Sequence, residues 1–269
     1  VPEGHVTHRL AAELGSAFGG RPVAVSSPQG RFAEAAALLD GQVLTGAESW
    51  GKNLFIGFGE AFVHVHLGLI GKLRIGQAEP PTGLDTLRLR ITDGVTAAEL
   101  RGPQTCALLT ADERDAVVLT LGPDPLRPDA DPLRGWARVT RSGRPIASLL
   151  LDQRVAAGVG NIFRCEALYR QRLHPLTPGN QVTRRRWDRL WGDFVELMPP
   201  AVVSGRIDTV RPEHTPEAMG RPPRVDRHGG EVYVYRRAGD PCLVCGTEVS
   251  MAEFEARRLY WCRRCQRRR

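Results

Sequence analysis

Four cysteines near the end of the sequence carry the sharpest chemical signal. Cys242 and Cys245 are separated by two residues, sixteen residues follow, and Cys262 and Cys265 repeat the two-residue spacing. Two such knuckles offer four thiolates to one tetrahedral ion. That is the closed coordination of structural zinc, with no position left for water or substrate. The competing outcome is a pair of disulfides, which a reducing compartment disfavours. One structural zinc is therefore expected. Cys106 and Cys165 are left over, and buried free thiols are the expectation for both.

Other groups point to phosphate. Gly158-Val159-Gly160 followed by Asn161 reads as a turn that opens a helix, and the exposed N–H groups there attract anions. Asn161 adds a side-chain donor; a turn with a purely structural role is the plainer reading. The net charge is +7, which suits a polyanionic partner, with ordinary solubility charge as the alternative. Seven arginines fall within residues 257–269 beside Tyr260 and Trp261, an interleaving that suits nucleic acid. Only Lys52 and Lys72 are lysines among 37 basic residues. An ammonium is a compact point charge that a guanidinium does not imitate. At the other end stands Pro2, followed by Glu3. Proline at a helix start is the plain explanation, because its missing N–H is one the helix does not use.

These groups need elements to hold them. Val6, Leu10 and Leu14 recur every four residues until Gly19-Gly20, which predicts a first helix. Residues 21–121 read as mostly β. In TLRLRIT, Leu87, Leu89 and Ile91 alternate with arginines, and Asp93-Gly94 signals a tight hairpin. NLFIGFG, AFVHVHLG and GKLRIGQ add short strands, so an antiparallel sandwich or barrel is expected. GPDPLRPDADPLRG, with four prolines in fourteen residues, reads as a linker over 122–135. Helical periodicity follows in RPIASLLLDQRVAAG, NIFRCEALYRQ and TRRRWDRLWGDFVELM. The last places Trp187, Leu190, Trp191, Phe194 and Met198 on one core face and is expected to end at Pro199-Pro200. Residues 205–230, rich in Pro, Gly and Arg, are expected to form a mobile loop. No apolar run reaches the ~18 residues of a membrane span, and no leader precedes Pro2, so a soluble cytoplasmic protein without a membrane partner is expected.

PEG at the start, Lys52 in a turn between strands, LLLDQRVAAGVGNIF, and a four-cysteine ribbon preceded by arginine occur in that order. Together they resemble the formamidopyrimidine-DNA glycosylase/endonuclease VIII family of base-excision repair, closest to its endonuclease VIII branch. The resemblance covers essentially the whole chain. It implies an α+β fold with an N-terminal helix plus antiparallel β-sandwich (1–121). After the linker come a helix–two-turn–helix domain with its loop (136–230) and a β-hairpin zinc finger (231–269). It also implies a bifunctional DNA glycosylase/AP lyase acting on damaged double-stranded DNA, with single-stranded DNA as a second partner. The enzyme is expected to be monomeric and to work at the nucleoid of a bacterial-type cell.

In that family the amino-terminal proline is the nucleophile. An α-amino group titrates near ~7.7–8.0 against ~10.4 for lysine, and the helix behind it lowers the value further. Attack of Pro2 on the anomeric carbon expels the base and leaves an iminium with no N–H to lose. That electron sink permits elimination on the 3′ side and then on the 5′ side. By the same resemblance Glu3 protonates the opening sugar, and Lys52 serves the first elimination and holds a phosphate. Arg257 serves the second elimination and a phosphate, and Asn161 contacts a phosphate. Leu69 and Ile70 stand where the family carries the wedge that fills the gap left by a flipped nucleotide. Half-buried packing at a strand end is the plainer reading of that pair.

The chain departs from the pattern in three places. Val1 precedes Pro2, and an acylated proline nitrogen cannot attack. The expectation is an alternative start codon, read as formylmethionine and trimmed away. RGPQTCALL lacks the Arg and Phe that the purine-specific branch inserts, which favours oxidised pyrimidines. Gly68 and Val6 replace a glutamine and a glutamate frequent in the endonuclease VIII branch. A formamidopyrimidine or 8-oxoguanine specificity is therefore the alternative. A non-catalytic damaged-DNA binder follows if Pro2 is not the mature terminus.

Overall fold

The computed structural model describes residues 2–226 and 230–268. The chain divides after Thr120 into two compact units. In the first, α1 (Gly4–Phe18) precedes β1 (Arg21–Pro22), β2 (Ala24–Ser26), α2 (Ala33–Leu39), β3 (Val43–Leu44) and β4 (Gly46–Trp50). There follow β5 (Asn53–Phe58), β6 (Ala61–His66), β7 (Lys72–Gln77), β8 (Leu87–Thr92), β9 (Thr96–Arg101), β10 (Thr105–Thr110) and α3 (Ala111–Leu119). Two antiparallel four-stranded sheets result, ordered β10-β6-β5-β4 and β2-β8-β9-β7. Leu54, Ile56, Val63 and Val65 of one sheet share a core with Val25, Leu89, Ile91 and Leu100 of the other. Leu10, Leu14 and Phe18 of α1 join it, so the four-residue spacing in the sequence is the buried stripe. The expected sandwich is present, together with two helices that the strand-like patterning of residues 21–121 does not announce. One of them, α3, opens with a capping box in which Thr110 and Glu113 bond reciprocally.

The second unit contains α4 (Pro132–Val139), α5 (Ile146–Leu149), α6 (Asn161–Arg170), α7 (Arg184–Ser204), α8 (Pro216–Met219), β11 (Val249–Phe254) and β12 (Arg257–Cys262). The proline-rich segment 122–135 is not a free linker. Residues 121–125 are buried, Gly122 N–H donates to Gln153 O at 2.9 Å, and Asp131 caps α4. Gly135 lets the backbone press on Val155 and Trp187: a Cβ there would lie 2.4 Å from Val155 O.

Of the helix expected over RPIASLLLDQRVAAG, only α5 forms. The Asp152 carboxylate accepts the Arg154 N–H, and Gln153 bonds Leu151 O, Val159 O and the Gly158 N–H. Side chains that satisfy their own neighbours compete with the helical ladder. In α7 the correction runs the other way. The helix continues through Pro199 and Pro200 to Ser204, because buried Ala201 holds the last turn against the core. Its end is Gly205, at φ +71°.

Within 205–226, Ile207 and Thr209 are buried and α8 forms a short turn, so the described part of the expected mobile loop is folded; residues 227–229 of that expectation lie outside the described residues. The finger is continuous with the helical core. Cys242, Leu259, Tyr260 and Cys262 pack in one cluster with α6 and α7. The fully buried Glu166 carboxylate accepts the N–H groups of Tyr233, Val234 and Tyr235 and the Thr209 hydroxyl. No helix among the described residues is long and apolar enough to cross a membrane.

Candidate active site and nucleic-acid interface

In the first unit the strand register collects the chemistry at one end of the sandwich. Asn53 pairs with His66, and His66 with Thr105, so the β4–β5 turn, the β6–β7 loop and the β9–β10 loop share that end. The β4–β5 connection is the two-residue turn Gly51-Lys52. Gly51 sits at φ +61°, as the first central position of a type II′ hairpin requires. Lys52 is thereby presented half-buried at the tip.

The first turn of α1 docks on this hairpin. Thr7 Oγ1 lies 2.8 Å from Gly51 O and 2.9 Å from Gly4 O, its one hydroxyl proton shared between the two carbonyls. Glu3 is fully buried at the N-cap, where its carbonyl accepts the Val6 N–H, and Pro2 is half-buried ahead of it. The structure thus brings Pro2, Glu3 and the Lys52 turn to one place. It puts Leu69 and Ile70 on the neighbouring loop, 63% and 78% exposed, rather than packed at a strand end.

Histidines that the motifs did not single out line the same sheet end. His64 and His66 alternate with core-facing Val63 and Val65, so the HVH pattern itself put them on the opposite face. Burial, with His66 nearby, lowers His64 to about 4, and its Nε2 lies 2.9 Å from Asn53 Oδ1. Burial and then the Lys52 charge hold His66 below the usual imidazole range. His5 on α1 is lowered by burial to about 4. Cys106 is half-buried, not buried as expected, and its thiol is pushed up to about 12 by desolvation; Cys165 is fully buried.

In the second unit, Arg257 lies just past the tip of the β11–β12 hairpin. The turn residues Glu255 and Ala256 are both left-handed, at φ +50° and +57°. Ser148 Oγ donates to Glu255 Oε1 at 2.7 Å, with Arg144 Nη2 3.8 Å from the same oxygen. On the other side, Asn161 Nδ2 donates to Arg258 O at 2.9 Å, while Arg164 Nη2 donates to Asn161 Oδ1. Asn161, expected as a phosphate donor, is thus largely buried and joins the start of α6 to the fingertip. Ser148, Glu255 and Arg164 are further members of this site, and no local pattern marks them because their partners are remote in sequence.

At the opposite end of the hairpin the four cysteines converge, with all four Sγ atoms within 4.8 Å of one another. Cys242 and Cys265 are 3.9 Å apart and Cys245 and Cys262 3.5 Å, with no disulfide. A ZnS4 tetrahedron with ~2.3 Å bonds has edges of about 3.8 Å, so the residues fit zinc. Tyr169 Oη, 3.0 Å from Cys242 Sγ, supplies an outer hydrogen bond.

Residues 1–105 match the formamidopyrimidine-DNA glycosylase N-terminal domain, residues 121–211 its H2TH domain, and residues 239–268 the zinc finger found in FPG and IleRS. The chain is 45% identical to endonuclease 8 1 of Mycobacterium tuberculosis, across 99% of this chain and 100% of the relative. It is 32% identical to formamidopyrimidine-DNA glycosylase of Methylococcus capsulatus, across 85% and 84%. Lactococcus lactis Fpg, solved with abasic-site DNA, has the same fold, with a TM-score of 0.82, 22% identity, and coverage of 99% and 100%. These matches define a DNA glycosylase of base-excision repair. The chain belongs to the formamidopyrimidine-DNA glycosylase/endonuclease 8 family.

Proposed function

We propose that this chain is a bifunctional DNA glycosylase/AP lyase that removes oxidised pyrimidines from double-stranded DNA by way of Pro2. The observation that carries the reading is the Thr7–Gly51 hydrogen bond, which docks the Pro2-Glu3 helix start on the Lys52 turn. Once the preceding residue is removed, the Pro2 nitrogen is a secondary amine. Its lone pair attacks C1′, the glycosidic bond breaks, and the departing base takes the proton that the proline nitrogen gives up.

Glu3, buried beside it, hands a proton to the opening sugar oxygen. Loss of the C2′ proton then expels the 3′ phosphate, with Lys52 at hand for that step. Loss of the C4′ proton expels the 5′ phosphate, the step given to Arg257. Leu69 and Ile70, exposed on a glycine-flanked loop, fill the gap left in the duplex. Zinc keeps the finger folded and does no chemistry. The enzyme acts as a monomer on cytoplasmic, nucleoid DNA.

Excision from duplexes carrying thymine glycol or 8-oxoguanine tests the reading. Faster release of thymine glycol is expected, and the opposite ranking makes this a formamidopyrimidine-type enzyme. Glu3→Gln is expected to slow base release by about 10²-fold or more while leaving DNA affinity in place. Equal turnover by the two proteins removes Glu3 from the mechanism.

A further inference from the structure

Arginines of the second unit fall into two populations. Many are neutralised, as in Arg170–Asp193 at 2.8 Å, Arg184–Asp188 at 2.7 Å and Arg221–Glu231 at 2.6 Å. Arg172, Arg186, Arg189, Arg264 and Arg267 are not: among the described residues none has a carboxylate within ion-pair distance. These five line two adjoining concavities of about 400 and 380 Å³ that share Arg172 and Arg267; no aspartate or glutamate lines either, and the zinc-ligand thiolates of Cys245 and Cys265 border the smaller. Other arginines of this unit, Arg138 and Arg141 among them, also have no ion pair among the described residues and line a different concavity, so what sets this groove apart is that five such arginines meet in it with no aspartate or glutamate among them.

Backbone geometry at the centre of the groove is a second, independent observation. Arg172 follows α6 at φ +49°, its N–H donates to Tyr169 O, and the next N–H, of Leu173, donates to Leu168 O. This is the Schellman end of a helix, and its left-handed position is ordinarily glycine. An arginine there carries a steric cost that glycine would not, and such strain gathers at functional positions.

We infer that this groove is a second phosphodiester-binding site, which takes the backbone of DNA outside the lesion-bearing stretch. Guanidinium forks match phosphate oxygens two at a time, and a strip of them without acids suits a linear polyanion. The groove stands apart from the fingertip on two counts. It lies at the C-terminal end of α6, about 16 Å of helix from Asn161. It also lies at the knuckle end of β12, about 17 Å of strand from Arg257. It therefore extends the DNA-binding reading above to a surface that the proposed chemistry does not use. Its role is to hold the enzyme on undamaged duplex while it searches.

The test is a triple variant, Arg172→Gly/Arg186→Gln/Arg189→Gln, of the zinc-loaded protein. Its binding to an undamaged duplex of about 40 base pairs is measured as a function of salt. Every phosphate that the variant no longer neutralises lowers the slope of log K against log salt by about 0.9, so a fall of about 2 to 3 is expected. Binding and cleavage of a duplex of about 12 base pairs centred on an abasic site should stay within about twofold of the parent. An unchanged slope on the long duplex overturns the groove. A parallel loss on the short duplex also overturns it, because the arginines then belong to the lesion interface. Arg172→Gly alone restores the residue the turn prefers, so it should fold and lower the slope by about 0.9. The slope needs no catalysis: a parent that cleaves no lesion contradicts the proposed activity and leaves the groove to be decided on its own.

Discussion

The Leu69-Ile70 loop of the first unit and the Arg257 fingertip of the second are both short turns, each proposed above to meet DNA, yet they are built on opposite principles. Leu69 and Ile70 stand exposed, with the loop shaped by backbone alone: Gly68 at φ +67° and Gly71 N–H donating to Leu67 O at 3.0 Å. A Cβ on Gly68 would lie 2.9 Å from Gln104 Cβ, so the loop sits close against the β9–β10 connection. Arg257, by contrast, is braced on both sides, through Glu255–Ser148 and Arg258–Asn161. The difference follows from the forces involved. Burial of apolar surface is non-directional, so a wedge needs reach and little aim. A guanidinium meeting phosphate oxygens would depend on angle and distance, and the brace around Arg257 suits the role proposed for it.

Removing the metal should break the braced side altogether. Cys242 and Cys262 belong to the core that α6 and α7 share, so Cys242→Ser, or chelation, should unfold the finger and abolish DNA binding. Metal analysis is expected to give one zinc per native chain, and folding that withstands full chelation contradicts the assignment. Truncating the wedge should act on function alone. Leu69→Ala/Ile70→Ala is expected to cut turnover on duplex lesions about tenfold, spare single-stranded substrate and leave thermal stability within about 0.5 kcal/mol. A large loss of stability would mean that the pair packs inside the protein.

Ser148→Ala sharpens the contrast from the other side. Loss of the bond to Glu255 should let Arg257 drift and lower the ratio of 5′- to 3′-elimination product severalfold, with base release unaffected. Ser148→Thr should restore the ratio, and an unchanged ratio in the alanine variant removes the brace from the account.

The smallest effect concerns pH. His64 is held near 4 in the fold against an ordinary value near 6.5. Above 6.5 both states are neutral and its contribution is fully present. Below 6.5 the unfolded chain takes up a proton that the folded one refuses, so stability falls as pH drops from 6.5 toward 4. His64→Phe, which keeps the stack on Phe55, should flatten that part of the stability curve. A parent and variant with the same slope contradict this.

Features written in local spacing were legible in the sequence. The α1 stripe, the strand alternation of TLRLRIT, the cysteine knuckles and the Gly51-Lys52 turn all fold as their residues dictate. Features that depend on remote partners were not. Residues 150–160 look helical until Asp152 and Gln153 are seen to bond their own neighbours. Pro199-Pro200 look terminal until Ala201 is found in the core. Ser148 and Glu255 meet across more than a hundred residues, and no period announces such a pair. Asn161 was legible as the residue that opens a helix after the glycine turn, while its bond to the finger backbone was not.

The most direct test of the account is borohydride trapping on an abasic-site duplex, using protein whose amino terminus has been read by intact mass. Chains that begin at Pro2 should form a covalent adduct through that residue, and chains that keep Val1 should form none. An adduct of undiminished yield on Val1-bearing chains, or one mapped to a lysine, would mean that another amine does the chemistry.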